Sequence, residues 1–319
     1  MKVRIIFSVI VITILSMGKA NSQIVPAIQK SVLQNNDKDT FNQYLKAYTV
    51  FTMDKRELID SLYKNGRCQF QIHIDTQQNW IIDLEFNDIR SPKFKQVYIT
   101  DSGKFEYKGF VLNTFKGVTS NNQVARFTID ETNFFGIILD GKEHYVIRPA
   151  KDHTKNNADE RLIVYKGSDI IFKNENFSND DTLVNFKNNE NLNIENNIDN
   201  TRGISCTYYL TISTDADFEF YKAKGKDYAT VFNDILSVLN QVDGVYESTF
   251  NMRFLVSTMQ VWCGTGGSYP YKSTNYGDLL DDFRDYWTNN IVEERNLAHL
   301  FSGKNFSVYG VAYAGGRFK

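Results

Sequence analysis

Tyr208-Tyr-Leu-Thr-Ile-Ser-Thr214 is the stretch on which the fold turns. Tyr208, Leu210 and Ile212 occupy alternate positions, the period of a half-buried strand. Downstream, Asp227 stands at the N-cap position of an apolar series, Val231, Ile235, Val238, Val242 and Val245. Its steps of four, three, four and three keep one helical face inward. Residues 250–261 return to strand composition, and Gly264-Thr-Gly-Gly267 marks a turn. Asn275 then opens a helix whose buried face is Leu279, Phe283, Tyr286, Trp287 and Ile291, and residues 307–314 read as a final strand. Strand, helix, strand, helix, strand requires right-handed crossovers and implies a mostly parallel sheet. Residues 204–319 are therefore expected to form an α/β domain.

Upstream the period changes. Asp54-Lys-Arg-Glu57 is a capping box, Leu58 and Leu62 supply an apolar face and Gly66 a stop, which predicts a helix over 55–64. From Cys68 onward apolar and polar residues alternate: Phe70, Ile72 and Ile74, then Trp80, Ile82, Leu84 and Phe86. The alternation recurs at 95–100, 104–116, 123–130, 134–139 and 143–147, with Asp140-Gly141 as a hairpin turn. Residues 23–149 are expected to be a short helix followed by a mainly antiparallel sheet, giving the whole chain an α+β class. Residues 150–203 read as an Asn-rich linker, interrupted by Arg161-Leu-Ile-Val-Tyr165. The run 173–200 has too little apolar area to offset chain entropy. It serves either as a protease-processing site or as an ordinary tether.

The formal charge of −2, from 36 basic and 38 acidic residues, leaves no global field to gather nucleic acid or an anionic membrane. Lys2 and Arg4, an apolar run over 5–17 and the small residues Ala20 and Ser22 form a secretory signal over residues 1–22. Its apolar stretch of about 13 residues falls short of the roughly 20 needed for a spanning helix. The chain is therefore expected outside the cytoplasm, without a membrane anchor once the signal is removed. Cys68, Cys206 and Cys263 allow at most one internal bridge.

No H-E-x-x-H occurs, and no two of the four histidines stand at i, i+4, so no helix presents a zinc pair. His299 has no nucleophile or orienting partner nearby in sequence, and His73, His144 and His153 read as surface residues. The Gly264-Thr-Gly-Gly267 cluster lacks the spacing of a phosphate-binding loop and is expected to be a surface turn.

Arg295-Asn-Leu-Ala-His-Leu-Phe-Ser-Gly303 and Val308-Tyr-Gly-Val-Ala-Tyr-Ala-Gly315 resemble the segment ahead of the zinc helix in reprolysin-like (adamalysin, M12B-type) metalloproteases. The strand at Tyr208, the helix end Val238-Leu-Asn-Gln-Val-Asp-Gly-Val-Tyr246 and the strand Met252-Arg-Phe-Leu-Val-Ser-Thr-Met-Gln-Val-Trp262 are similar to that family's scheme. Tyr107-Lys-Gly-Phe-Val111 and Gly141-Lys-Glu-His-Tyr-Val-Ile-Arg-Pro149 resemble its propeptide. The resemblance implies a secreted zinc metalloendopeptidase acting on protein or peptide. Residues 204–319 would be an incomplete metzincin-like catalytic domain, stopping before the zinc helix. It implies zinc in the complete enzyme and none bound by this chain, which is then inactive as it stands. Val308, Tyr309, Gly310, Val311, Ala312, Tyr313 and Ala314 would form the substrate-side edge strand, or a plain edge strand. Cys206 would be a latency thiol for zinc, or the partner of Cys263 in a disulfide. The alternative is a non-catalytic secreted binding module that uses its sheet edge.

Overall fold

The computed structural model describes residues 24–29, 35–74, 79–131, 133–141, 143–154, 156, 159–171, 207–308 and 310–313. The expected signal, the run 173–200 and Cys206 lie outside these residues. The first half runs β1 (Ile24–Gln29), α1 (Asn35–Phe41), β2 (Thr49–Thr52), α2 (Lys55–Asn65), β3 (Arg67–His73), β4 (Asn79–Phe86), β5 (Arg90–Thr100) and β6 (Gly103–Tyr107). It continues with β7 (Thr114–Thr119), β8 (Val124–Ile129), β9 (Phe134–Asp140), β10 (Glu143–Pro149), α3 (Lys151–Thr154) and β11 (Leu162–Lys166). The second half runs β12 (Tyr208–Ala216), α4 (Phe218–Ala223), α5 (Tyr228–Phe250), β13 (Met252–Trp262), α6 (Tyr276–Asn290) and β14 (Leu297–Phe301).

Alternation in the first half builds a closed barrel in the order β1-β2-β11-β10-β9-β8-β7-β4-β3, with β3 meeting β1 again in parallel. Closure leaves no edge to pair with another chain. Phe70, Phe127 and Phe134 meet edge to face inside it, beside Trp80 against Tyr145. The capping-box helix is α2: Asp54 accepts from the backbone N–H of Arg56 and Glu57, and Gly66 closes it at φ 71°. Its Leu58 and Leu62 pack into the barrel core.

Two strands change the sequence-based division. β11, expected in the linker, lies in the barrel between β10 and β2. Leu162 and Val164 enter one core and Ile163 and Tyr165 another, so a strand buried on both faces shows no alternation. The β5–β6 hairpin leaves the barrel altogether. β5 pairs in parallel with β13, from Thr258↔Lys95 to Trp262↔Ile99, and completes a sheet in the order β14-β12-β13-β5-β6. A half-buried strand has the same period whichever sheet receives it.

Strands β12, β13 and β14 are parallel, as the strand–helix order requires. Two clusters sandwich the sheet. Val231, Ile235 and Leu239 of α5 pack on Val256 and Met259, while Leu279, Phe283 and Trp287 of α6 pack on Val97, Ile99 and Trp262. The inward face of α5 is rotated from the expected one, for Val238 and Val245 are 44% and 38% exposed. The barrel covers a second side of the helix, where Ser237, Asn240, Asp243 and Gly244 are buried. Asp243 sits there between Arg126 of β8 and Arg253 of β13, and Arg126 also pairs with Glu247. A Cβ on Gly244 would lie 2.5 Å from Arg126 Cγ, so glycine lets the arginine cross the helix. Asn240 Nδ2 donates to the Phe127 carbonyl at 2.8 Å, and Asn87 Nδ2 donates to Asn240 Oδ1 at 2.8 Å.

The last strand is also displaced. β14 occupies 297–301, whereas Val308 lies in a bend and Gly310, Val311 and Ala312 are irregular; Tyr309 and Ala314 lie outside the described residues. Ala298 and Leu300 pack under α6 and Phe301 against the α5 cluster. No residue of Leu297-Ala-His-Leu-Phe301 is fully buried, and its exposed side carries the apolar Leu297 together with His299, so polar and apolar residues do not alternate.

Candidate functional site

Parallel α/β sheets place ligands at the carboxyl ends of their strands. At that end of β12, the two carboxylates of Asp215 and Asp217 are both 0% exposed. Asp215 Oδ2 accepts from Tyr271 Oη at 2.5 Å, Gln260 Nε2 at 3.0 Å, Trp287 Nε1 at 3.1 Å and Trp262 Nε1 at 3.4 Å. Its Oδ1 is buried without a hydrogen-bond partner. Burial outweighs the four donors and pushes this carboxyl up to about 7. The group joins α6 to the sheet and can hold a proton. Sealed from solvent, it cannot meet a substrate.

Asp217 has a different task. It caps α4 through the Phe220 N–H at 2.7 Å, accepts from the Gly303 N–H at 2.9 Å and from the Ser302 hydroxyl. A Cβ on Gly303 would lie 2.3 Å from the Phe220 nitrogen and the Glu219 carbonyl carbon. Leu300-Phe-Ser-Gly303 is thus a lock of the loop after β14 onto the first turn of α4. Sequence reasoning singled out neither aspartate. The available signal was Ser213-Thr-Asp-Ala-Asp217, acidic residues at the carboxyl end of a predicted parallel strand.

Of the expected substrate strand, Val308, Gly310, Val311 and Ala312 are irregular and Tyr313 alone among its described residues takes part in a β-bridge. The Tyr313 side chain reaches α6, where its hydroxyl donates to Asp281 and accepts from Arg284 Nη1 at 2.9 Å. Burial and the Asp281 carboxylate push that phenol up to about 12. The edge of the five-stranded sheet on this side is β14, which pairs with β12 alone among the named strands. Gly264-Thr-Gly-Gly267 does form a turn, and it receives the β5–β6 tip: Asp101 Oδ1 accepts from the Gly266 N–H at 2.7 Å. A Cβ on Gly264 or Gly266 would lie 2.4 or 2.5 Å from that oxygen.

Residues 207–318 match the sequence model of a family described as Metallo-peptidase family M12 (Reprolysin_5). An M12 metallopeptidase-like domain is present in this chain. No curated protein matches the chain. Among solved structures it is similar to metalloproteinase-II from Bacteroides fragilis, at 11% identity and a TM-score of 0.33, over 75% of this chain and 66% of that one.

M12 metallopeptidases are zinc-dependent, and a zinc site needs several His, Cys, Asp or Glu side chains converging on one point. His73 lies on β3, His144 on β10, His153 on α3 and His299 on β14. His299 packs edge to face on Phe301 with ring centroids 4.6 Å apart. His153, expected at the surface, sits among Phe41, Tyr44 and Tyr165, and burial holds it below the usual histidine range. Cys68 and Cys263 are free thiols, and burial pushes Cys263 up to about 11, away from the thiolate a metal needs. Among the described residues no three His, Cys, Asp or Glu side chains come together to hold a metal ion. These residues do not fit zinc.

Proposed function

We propose that the chain is the N-terminal portion of an exported zinc-dependent metalloendopeptidase acting on proteins or peptides. The barrel takes the place of a pro-region, and residues 204–319 supply the sheet framework of the catalytic domain. One observation carries this reading. The parallel set β14-β12-β13, with α5 crossing from β12 to β13, falls inside the span matched to M12 metallopeptidases. Export is supported by the charged, apolar and small-residue sequence of residues 1–22. The zinc ligands of the working enzyme come from outside the described residues.

A second reading draws on the side of β14 that pairs with no named strand among the described residues. A strand paired on one side offers main-chain donors and acceptors to an extended peptide, and a non-catalytic secreted module would bind its partner there. The coding sequence beyond Lys319 and the purified 319-residue chain separate the two. The first reading expects an H-E-x-x-H shortly downstream and a chain that neither retains zinc nor cleaves peptides. The second expects no such motif and peptide binding without cleavage. Stoichiometric zinc together with peptide hydrolysis in the 319-residue chain would contradict both.

A further inference from the structure

The sheet of the M12-like domain ends on its other side at β6, Gly103-Lys-Phe-Glu-Tyr107, which pairs with β5 alone among the named strands. Gly103, Lys104, Phe105 and Glu106 are all exposed, so nothing among the described residues covers this edge. Such an edge carries unpaired main-chain N–H and C=O groups and is a template for a further strand. Soluble proteins commonly blunt an edge with a charge, lysine above all. β6 carries one charge of each sign, two residues apart, and that changes the effect.

The register with β5 places the side chains. Lys104 and Glu106 lie opposite Ile99 and Val97, which enter the cluster beneath α6. Side chains directly opposite share a face, so both charged groups rise on the α6 side. Neither forms an ion pair among the described residues. Phe105 lies opposite Tyr98 on the α5 side and is 42% exposed. Its ring stacks on Tyr98 at 5.4 Å, and Tyr98 stacks in turn on Tyr228 of α5 at 4.4 Å. If two copies of β6 pair antiparallel in one continuous sheet, facing residues must lie on the same face, so the two-fold axis passes through a residue position. An axis at Lys104 sets lysine against lysine, and one at Glu106 sets glutamate against glutamate, both unfavourable. An axis at Phe105 sets Lys104 against Glu106 of the second copy twice over, brings Phe105 against its equivalent and opposes Gly103 to Tyr107. Every position of the strand is then matched. We propose that β6 is a self-recognition edge, through which two copies of this chain join antiparallel about a two-fold axis at Phe105 to form one continuous sheet. The pairing stands independently of the metallopeptidase reading.

Sedimentation equilibrium of the purified chain between about 1 and 100 µM tests this. The wild type should pass from monomer towards dimer in that range, as an interface of one short strand per copy allows. Glu106→Lys and Lys104→Glu each change an exposed side chain and should leave the melting temperature unchanged. Each also sets two like-charged pairs across the axis and should weaken dimerisation by about tenfold or more. Mixing the two variants should restore association between unlike chains, and both substitutions in one chain should restore self-association. A wild type monomeric at all these concentrations, a dimer that keeps its affinity in both single variants, or single variants that do not associate when mixed would overturn the proposal.

Discussion

Asp215 is the residue whose chemistry departs furthest from its sequence neighbours. Its folded value of about 7 lies above the ordinary 3.8, so the folded chain binds the extra proton between those values. Its contribution to stability is therefore greatest below pH 3.8 and declines as pH rises to about 7, by on the order of 4 kcal/mol. Asp215→Asn keeps an oxygen for Tyr271 and removes the titration. Urea unfolding at pH 5 and pH 8 should show the variant gaining on the wild type at the higher pH. An unchanged difference between the two proteins would mean that Asp215 does not carry this proton. Gly303 makes a steric prediction of the same scale. Alanine there must displace the α4 backbone and should cost about 1–3 kcal/mol. Gly267→Ala, where nothing lies within 4 Å of the new Cβ, should cost little, and thermal melting of the pair gives the comparison.

Among the elements, α5 carries the most information because it is buried on two sides. Its N-cap at Asp227 was legible, but a single apolar stripe could not be, since the barrel-facing side is polar and paired: Asn240, Asp243 and Glu247. The α2 and α6 faces were readable because each helix packs on one surface. β11 was not, because a strand covered on both faces loses its period of two, and β14 was not, because its exposed side carries the apolar Leu297 beside His299. The transfer of β5 to another sheet was invisible for a different reason: alternation reports half-burial and not the partner. The Arg126–Asp243 pair tests the α5 interface. Arg126→Met leaves Asp243 with Arg253 as its remaining cation and should destabilise the chain by about 3 kcal/mol, measured by denaturant unfolding. A loss indistinguishable from zero would mean that the pair does not hold helix and barrel together.

At the scale of the molecule, the two halves are joined by main chain as well as side chains. β5 supplies a strand beside β13, Val97 and Ile99 supply part of the core beneath α6, and Asp101 fastens the hairpin tip to the Gly264–Gly267 turn. Removing the first half would expose the β13 edge and both apolar faces beside it, which a soluble domain does not tolerate well. The M12-like domain is thus built with the barrel's hairpin as a structural part, and a cut between the halves should not separate them. The direct measurement is to introduce a single protease site within residues 172–206, cleave the purified chain and follow it by size-exclusion chromatography without denaturant. The account predicts that both pieces elute together at the volume of the intact chain and separate only in denaturant. Elution of a folded, monomeric 207–319 piece free of the barrel would contradict it.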